Sequence, residues 1–482
     1  MAKPSASSKQ TNIQPACPSH GYSFVAAATN YRRFGNYAVY IKHKAGPKLL
    51  RVKQESKRHI WYECPDREIV IVRGSQETGA FIPSGDSFDE MYDFNMFNDA
   101  VSKSLGLEYI MTNFAHTKDF YSKRYPNVVP ADRRIQVLSD SGGLQLARGV
   151  KDVIHPLDLI DYYNNNVDAG MILDIPLALF NTKDSKVVRR AALLQKANTD
   201  IMVEASQGVE LINITHGNNT EQRQMFREIV EDPRVPRIAI AALDSQGLLT
   251  AVNTIYNTVY GSKMRYKQYH ALGIFRTEYI PLFVKIANSG ENPPHITSDS
   301  TSHIQSAITR VMNFQFDVIN SMKRVPIGHR VSVPNTNKLL PCQCPVCTTL
   351  KYADIIAFGR GRVTEGLFAM HNAFEMARYG RVLQEACQQG SRKDYRDLVS
   401  SQLGKRESLR EVLMCFDFID IATDSGLAKA RKKYGTHLEN WKFRGTPPIP
   451  PSLFGGGEET VQGEDKQKVL NALLTRMEKQ LK

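Results

Sequence analysis

The chain has 482 residues, of which 42% are hydrophobic and 23% charged, so its composition excludes a disordered or fibrous protein and allows a large core. Lysine and arginine total 62 against 49 for aspartate and glutamate, and the formal charge of +13 favours a polyanionic partner such as nucleic acid. A basic enzyme without such a partner is the alternative. No apolar run reaches the roughly 18 residues that span a bilayer, and no signal-peptide pattern is present, so we expect a soluble, cytoplasmic protein.

The N-terminal part of the chain has two predicted sections. Residues 1–20 are too polar to form a core and are predicted to be a disordered arm. Residues 21–106 form an extension that leads into a barrel, with strands at 22–28 and 68–72 and a helix at 89–105. Basic residues between 42 and 58 lie among aromatic ones, a pattern typical either of a surface that binds phosphates and bases or of a solvated face.

From residue 107 to 340, short apolar runs alternate with segments of helical period. Predicted buried strands span 109–114, 135–138, 170–173, 209–214, 237–243, 270–275 and 294–297. Predicted helices span 157–165, 185–206, 221–231, 246–260, 278–287 and 302–314. Repeated strand-helix units indicate a parallel sheet, either doubly wound or closed into an eight-stranded barrel.

The residues that follow the predicted strands favour the barrel. A polar residue ends five different units: Asp140, Asp174, His216, Asp244 and Asp299. Side chains from so many strand ends converge only if the sheet closes, which is how barrel enzymes build their sites. The predicted fold class is therefore α/β, a (β/α)8 TIM-like barrel with a further subdomain and basic helical extensions.

That subdomain, residues 341–389, contains a cluster of potential metal ligands. Cys342, Cys344 and Cys347 are closely spaced between prolines, and His371 lies on a predicted helix at 362–386. Thiolates and an imidazole at this spacing predict a tetrahedral Zn²⁺ site, and four protein ligands make it structural. Packing or reactive thiols are the alternative. A helical region at 390–446, with a helix at 395–417, and then a proline- and glycine-rich linker with a terminal helix at 447–482 complete the chain.

The segment Asp140-Ser141-Gly142-Gly143 is the most specific local motif in the barrel region. Two glycines let a backbone approach a ligand closely, although such a segment alone is also typical of a capped turn. The order of this motif, Asp174, Asp299-Ser300-Thr301, the three cysteines and His371-Asn372 resembles the queuine and archaeosine tRNA-guanine transglycosylase superfamily. The resemblance covers residues 135–379.

The resemblance implies exchange of guanine in an intact polynucleotide for a 7-deazaguanine base through a covalent aspartyl intermediate. It makes Asp299 the nucleophile, with Asp317 as a rival, Asp140 the general acid/base, and Asp174 the residue that bonds the guanine edge. It adds as substrate-binding residues Ser141, Gly142, Gly143, Leu144, His216, Ala242, Leu243, Leu272 and Gly273. His216 replaces a glutamine of many members, and Leu144 and Leu272 replace residues that are often aromatic or Met.

The layout of the chain looks most like the DNA-guanine transglycosylase branch of phages and bacterial DNA-modification clusters. That branch implies DNA and a free 7-deazaguanine base as partners, in the host cytoplasm if the protein is phage-encoded. A tRNA enzyme is one alternative, and a non-catalytic, zinc-containing nucleic-acid-binding subunit is another. The sequence also allows a homodimer.

Overall fold

The computed structural model describes the chain in segments. They are residues 21–27, 37–43, 51–55, 59–63, 67–73, 90–93, 99–114, 135–147, 154–300 (without 181, 183, 245 and 275), 303–304, 307, 311–314, 323–326, 342–350, 362–403, 408–439 and 465–481. The predicted N-terminal arm, the proline-rich linker, Asp317 and Thr301 lie outside these residues, as do the side chains of the basic segment 42–58.

The first strand, β1 (Gly21–Ala27), belongs to the barrel, and a separate antiparallel sheet follows it. That sheet consists of β2 (Tyr37–His43), β3 (Arg51–Glu55), β4 (His59–Glu63), β5 (Arg67–Arg73) and β6 (Glu90–Asp93), in the order β3-β4-β5-β2-β6. It is an insertion between the first two barrel strands. Of the basic segment, Lys42 and His43 lie on β2, and Arg51 and Lys53 lie on β3.

Eight parallel strands close into a barrel, which confirms the predicted fold and excludes a doubly wound sheet. After β1 they are β7 (Tyr109–Asn113), β8 (Gln136–Asp140), β9 (Ala169–Met171), β10 (Glu210–Thr215), β11 (Arg237–Ile240), β12 (Gln268–Ala271) and β13 (His295–Ser300). β13 pairs with β1 in parallel and completes the ring. Apolar side chains such as Val25, Met171 and Ile212 fill the interior.

Helices surround the barrel, and a second group follows it. They are α1 (Asp99–Leu105), α2 (Gly143–Ala147), α3 (Pro156–Asn166), α4 (Ser185–Ala205), α5 (Thr220–Val230), α6 (Leu248–Tyr260), α7 (Tyr279–Ala287), α8 (Pro345–Thr349), α9 (Arg362–Gln389), α10 (Arg392–Leu403), α11 (Ser408–Ser425), α12 (Leu427–Glu439) and α13 (Asp465–Gln480). Side-chain caps begin several of them: Asp184 accepts from Lys186 N at the start of α4, and Asn219 accepts from Gln222 N at the start of α5. Among the described helices, none has the length and apolar content needed to cross a membrane.

Three predicted helices are wrong in part. The helix predicted at 89–105 is the strand β6 followed by α1, because β6 pairs with β2. The helix predicted at 302–314 ends in a strand, β14 (Val311–Phe314), which pairs with β15 (Lys323–Pro326). The helix predicted at 395–417 is two helices, α10 and α11, that pack against each other. In the first two cases a partner strand decides the conformation, and local periodicity does not reveal that partner.

Two later helices tie the C-terminal part to the barrel. α9 packs on β1 and α7, in the place of the helix that follows the eighth barrel strand. α13 packs on α4, where Arg190 donates to both carboxylate oxygens of Glu478 at 2.7 and 2.6 Å. The predicted terminal helix therefore packs against a barrel helix of its own chain.

Candidate functional site

Three carboxylates lie at the carboxyl ends of the barrel strands. Asp140 ends β8, Asp174 follows β9, and Asp299 is the last residue but one of β13. We call these three residues the carboxylate site. Asp299 and Asp174 are almost fully buried, and the charges of both act on Asp140. The predicted convergence of these strand ends is therefore present in the fold.

Asp140 is held by two donors in a largely dry environment. Asn113 Nδ2 donates to its Oδ2 at 2.6 Å, and Gly142 N donates to its Oδ1 at 3.4 Å. Burial, followed by the negative charge of Asp174, raises the pKa of Asp140 to about 7. This carboxyl group can therefore both give and take a proton near neutral pH, as a general acid/base must.

Asp174 is fixed from two sides. Ser141 Oγ donates to its Oδ1 at 2.8 Å, and His216 Nε2 lies 2.8 Å from its Oδ2. The His216 ring in turn meets the edge of Phe226. A Cβ at Gly143 would lie 2.5 Å from the Asp174 carbonyl oxygen, so only glycine fits there. The motif thus places Ser141 and Asp174 together, and its Asx-type bond to Gly142 is present as well.

Asp299 is oriented through one of its two carboxylate oxygens. Gly273 N donates to Oδ1 at 2.7 Å, and His270 Nε2 lies 3.2 Å from the same atom. Gly273 has a φ of +66°, a conformation that glycine adopts at little cost. Within the part of the chain that the structure describes, no group donates to Oδ2. That oxygen is therefore the one available to a substrate.

The other predicted binding residues lie just after the barrel strands β8, β11 and β12. Ala242 has a φ of +59° and is the one non-glycine residue with positive φ among those described. Its neighbour Ala241 accepts a hydrogen bond from Arg223 Nη1 at 3.0 Å, and Leu272 packs against the apolar barrel interior. Leu243 is buried and Leu144 half-buried.

Sequence reasoning missed two residues that touch the carboxylates, Asn113 and His270. Both are polar residues in predicted apolar strands, and that contrast was the available signal. Asp244 was also predicted at the end of a strand, but its side chain pairs with Arg276 at 3.3 Å.

The predicted metal ligands come together. The sulfur atoms of Cys342, Cys344 and Cys347 lie 3.5, 3.4 and 3.2 Å from His371 Nδ1. All four residues are buried, and their ligand atoms lie within 4.8 Å of one another. A tetrahedral zinc with bonds of about 2.3 Å to sulfur and about 2.0 Å to nitrogen requires sulfur-nitrogen separations of about 3.5 Å. These residues, which we call the cysteine-histidine cluster, are therefore close enough to hold a metal ion.

Backbone N–H groups orient two of the cysteine sulfurs in this cluster. Cys344 N donates to Cys342 Sγ and Cys347 N donates to Cys344 Sγ, each at 3.4 Å. Such bonds stabilise thiolates and fix their direction. Glu375, one turn after His371 on α9, lies 3.1 Å from Cys342 Sγ.

The residue next to His371 connects the cluster to the segment after Asp299. Asn372 Nδ2 donates to the carbonyl oxygen of His303 at 3.1 Å, and both residues are buried. His303 packs edge-on against Phe24 of β1. The helix that carries His371 is thus hydrogen-bonded to the segment that follows the strand of Asp299.

No protein-family model matches the chain, and a search of curated proteins finds none that matches it. The side chains of the site are therefore what indicates the function.

Proposed function

We propose that the protein is a base-exchange transglycosylase of the guanine transglycosylase type, which replaces guanine in DNA with a 7-deazaguanine derivative. The observation that carries this proposal is that the three residues of the carboxylate site have different surroundings, which suit them to different roles. One carboxylate has an oxygen that no described residue donates to, one has a pKa near neutrality, and one is fixed by neighbouring side chains. Glycosidic substitution with a covalent intermediate needs a nucleophile and an acid/base of this kind.

In the first half-reaction, Oδ2 of Asp299 attacks the anomeric carbon of the target nucleotide. The bond from that carbon to the guanine nitrogen breaks, and its electron pair leaves with the base. Asp140 in its protonated form gives its proton to the departing guanine. The products are a glycosyl ester of Asp299 and free guanine, with Asp140 ionised.

In the second half-reaction, a 7-deazaguanine base takes the place of guanine. Ionised Asp140 accepts the proton from the ring nitrogen of this base as the nitrogen attacks the anomeric carbon. The ester bond to Asp299 breaks, and its electron pair returns to the carboxylate. Two inversions at the same carbon leave the configuration retained.

Base recognition falls to the groups around Asp174. A carboxylate can accept two neighbouring N–H groups, such as those on the edge of guanine. Ser141 and His216 hold the two oxygens of Asp174 in place, and each oxygen retains a further lone pair for a ligand. The aliphatic side chains of Leu144 and Leu272 favour the buried base through apolar contact.

Zinc is the ion that the cysteine-histidine cluster fits best, since three thiolates and one imidazole are a common structural zinc set. Four protein ligands leave no position for water, so the ion would stabilise the flank of the barrel without taking part in the chemistry. Cys342, Cys344, Cys347 and His371 would hold it.

The choice of DNA rests on charge and layout. The formal charge is +13, and the barrel carries an inserted antiparallel sheet and a C-terminal group of helices. On α12, the side chains of Lys429, Lys432 and Lys433 are exposed. Cations of this kind bind phosphates, and the target nucleotide would be turned out of the duplex to reach the buried carboxylates.

The direct test offers labelled guanine to the full-length protein with duplex DNA or with tRNA and measures label in each polymer. We expect label in DNA and none with the variant Asp299→Asn. Label in tRNA alone would replace the substrate with tRNA. Label in neither, together with nucleic-acid binding, would support a non-catalytic binding subunit.

A further inference from the structure

A hydrogen-bonded column of buried side chains crosses the barrel interior beneath Asp299. Arg237 lies at the start of β11 and Gln268 at the start of β12, where the two are register partners. His270 and Thr297 are register partners on β12 and β13. All four residues are buried. We call Arg237, Gln268, Thr297, His270 and Asp299 the polar column.

We propose that His270 is a positioning residue for Asp299, and that the polar column fixes the imidazole in the tautomer that carries its proton on Nε2. Arg237 sets the direction of the hydrogen bonds, because a guanidinium can only donate. Its Nη1 donates to Gln268 Oε1 at 2.6 Å. The amide orientation of Gln268 is therefore determined, and its Nε2 faces Thr297.

The direction of each bond then passes along the column. Gln268 Nε2 donates to Thr297 Oγ1 at 3.1 Å, so the hydroxyl hydrogen of Thr297 remains for its other neighbour, His270 Nδ1, at 2.9 Å. A nitrogen that accepts this hydrogen carries no proton itself. In the neutral imidazole the proton is then on Nε2, which lies 3.2 Å from Asp299 Oδ1.

The end of the column decides which oxygen of Asp299 reacts. His270 Nε2 and Gly273 N both donate to Oδ1, and this fixes the carboxylate plane and engages that oxygen. Oδ2 remains without a donor among the described residues and is presented to the substrate. At the opposite end, Glu210 accepts from Arg237 Nε at 2.5 Å and from Lys267 Nζ at 2.7 Å, so the guanidinium itself is fixed.

The tautomer does not depend on the proposed reaction, whereas the effect of His270 on the nucleophile does rest on the proposed function. The first experiment therefore measures the tautomer alone. Full-length protein with ¹⁵N-labelled histidine is examined by long-range ¹H–¹⁵N correlation, and the His270 signals are assigned as those lost in His270→Gln. We expect one protonated Nε2 and one unprotonated Nδ1 at neutral pH. A protonated Nδ1, alone or in an imidazolium, would overturn the proposal.

The variant Gln268→Glu reverses the polarity of the column. A carboxylate accepts from both Arg237 and Thr297, so the Thr297 hydroxyl turns towards it and accepts from His270 Nδ1–H instead. We expect the His270 proton to move to Nδ1. Gln136→Glu is the matched control, because Gln136 also accepts from Arg237, at 3.2 Å, but lies off the path to Thr297. It should leave the tautomer unchanged, and an unchanged tautomer in Gln268→Glu would contradict the column.

The second experiment measures the rate of covalent adduct formation with DNA and the DNA affinity. His270→Leu removes the donor to Asp299 and should slow adduct formation about 100-fold at unchanged affinity, the size of effect of one lost donor at a reacting group. His270→Gln places an amide N–H near the position of Nε2 and should restore the rate to within about tenfold of the original. Equal rates for the leucine variant and the original protein would refute the positioning role. Absence of any adduct in the original protein would refute the proposed function, and the tautomer measurement would still decide the column.

Discussion

The carboxylate site and the cysteine-histidine cluster are two polar, buried regions that differ in what they leave unused. In the cluster, four ligand atoms converge on one point with backbone donors to two of the sulfurs. In the carboxylate site, Asp299 keeps an oxygen without a donor from any described group, and Asp140 has a pKa raised to about 7, so it can exchange its proton near neutral pH. Ligand atoms that all converge on one metal position stabilise the fold, whereas a carboxylate with an oxygen open to a ligand can react. We therefore expect substitutions in the two regions to affect different measurements.

Loss of Asp299, the proposed nucleophile, should have the largest effect on the proposed chemistry. Asp299→Asn removes the attacking oxygen anion, and we expect adduct formation with DNA to fall by about 10⁴-fold or more, as for loss of other nucleophiles. Denaturing electrophoresis of the protein-DNA adduct measures it. Asp244→Asn is the control, since Asp244 pairs with Arg276 and should retain the adduct. Unchanged adduct in Asp299→Asn would make another group the nucleophile.

Loss of a metal ligand should instead affect stability. Cys344→Ser should reduce metal content from about one ion per chain and lower the melting temperature by about 10 °C, which corresponds to about 3 kcal/mol in a domain of this size. Amide exchange should also rise in residues 295–304, because Asn372 joins the cluster to His303. Cys387→Ser, outside the cluster, is the matched control. A metal-free protein with full stability and activity would defeat the structural role.

The substitution Gly143→Ala, which would crowd Asp174, should slow adduct formation less than the loss of Asp299. The added Cβ of Gly143→Ala would lie 2.5 Å from the Asp174 carbonyl oxygen and 2.6 Å from its Oδ1, so the two elements must move apart. We expect adduct formation to fall about 100-fold while the metal content stays constant. In Gly435→Ala the new Cβ meets no atom within 4 Å, and this control should behave like the original protein. Equal rates in both variants would show that Asp174 does not need its present position.

The smallest effect is a pH dependence set by Asp140. Its pKa is raised to about 7, so the protonated form, which we propose gives its proton to guanine, is present below that pH and lost above it. Adduct formation in a single turnover should be flat below about pH 7 and fall about tenfold per unit above it. The free energy of unfolding should change with pH in the same direction. The stabilisation from protonated Asp140 is fully present below the ordinary pKa near 4 and is lost as pH rises through about 7. A flat rate profile from pH 6 to 9 would remove Asp140 from the acid role.

Much of the fold followed from local patterns. Buried parallel strands are short apolar runs between helical segments, and the eight barrel strands were predictable for that reason. The strands β6 and β14 were not, because each depends on pairing with a distant strand. The cysteine spacing and the Ser141-Gly142-Gly143 motif are local and were found. His270 was missed because its role depends on the register that sets it beside Thr297.

The most direct test of the central proposal is to identify the residue that carries the nucleotide. Full-length protein is incubated with guanine-containing DNA, the adduct is trapped by denaturation and digested, and the modified peptide is mapped by mass spectrometry. We predict a deoxyribosyl-linked nucleotide on the peptide of β13, attached to Asp299. Attachment to Asp317 or to any other residue would contradict the assignment, and the absence of an adduct with DNA and with tRNA would contradict the proposed chemistry.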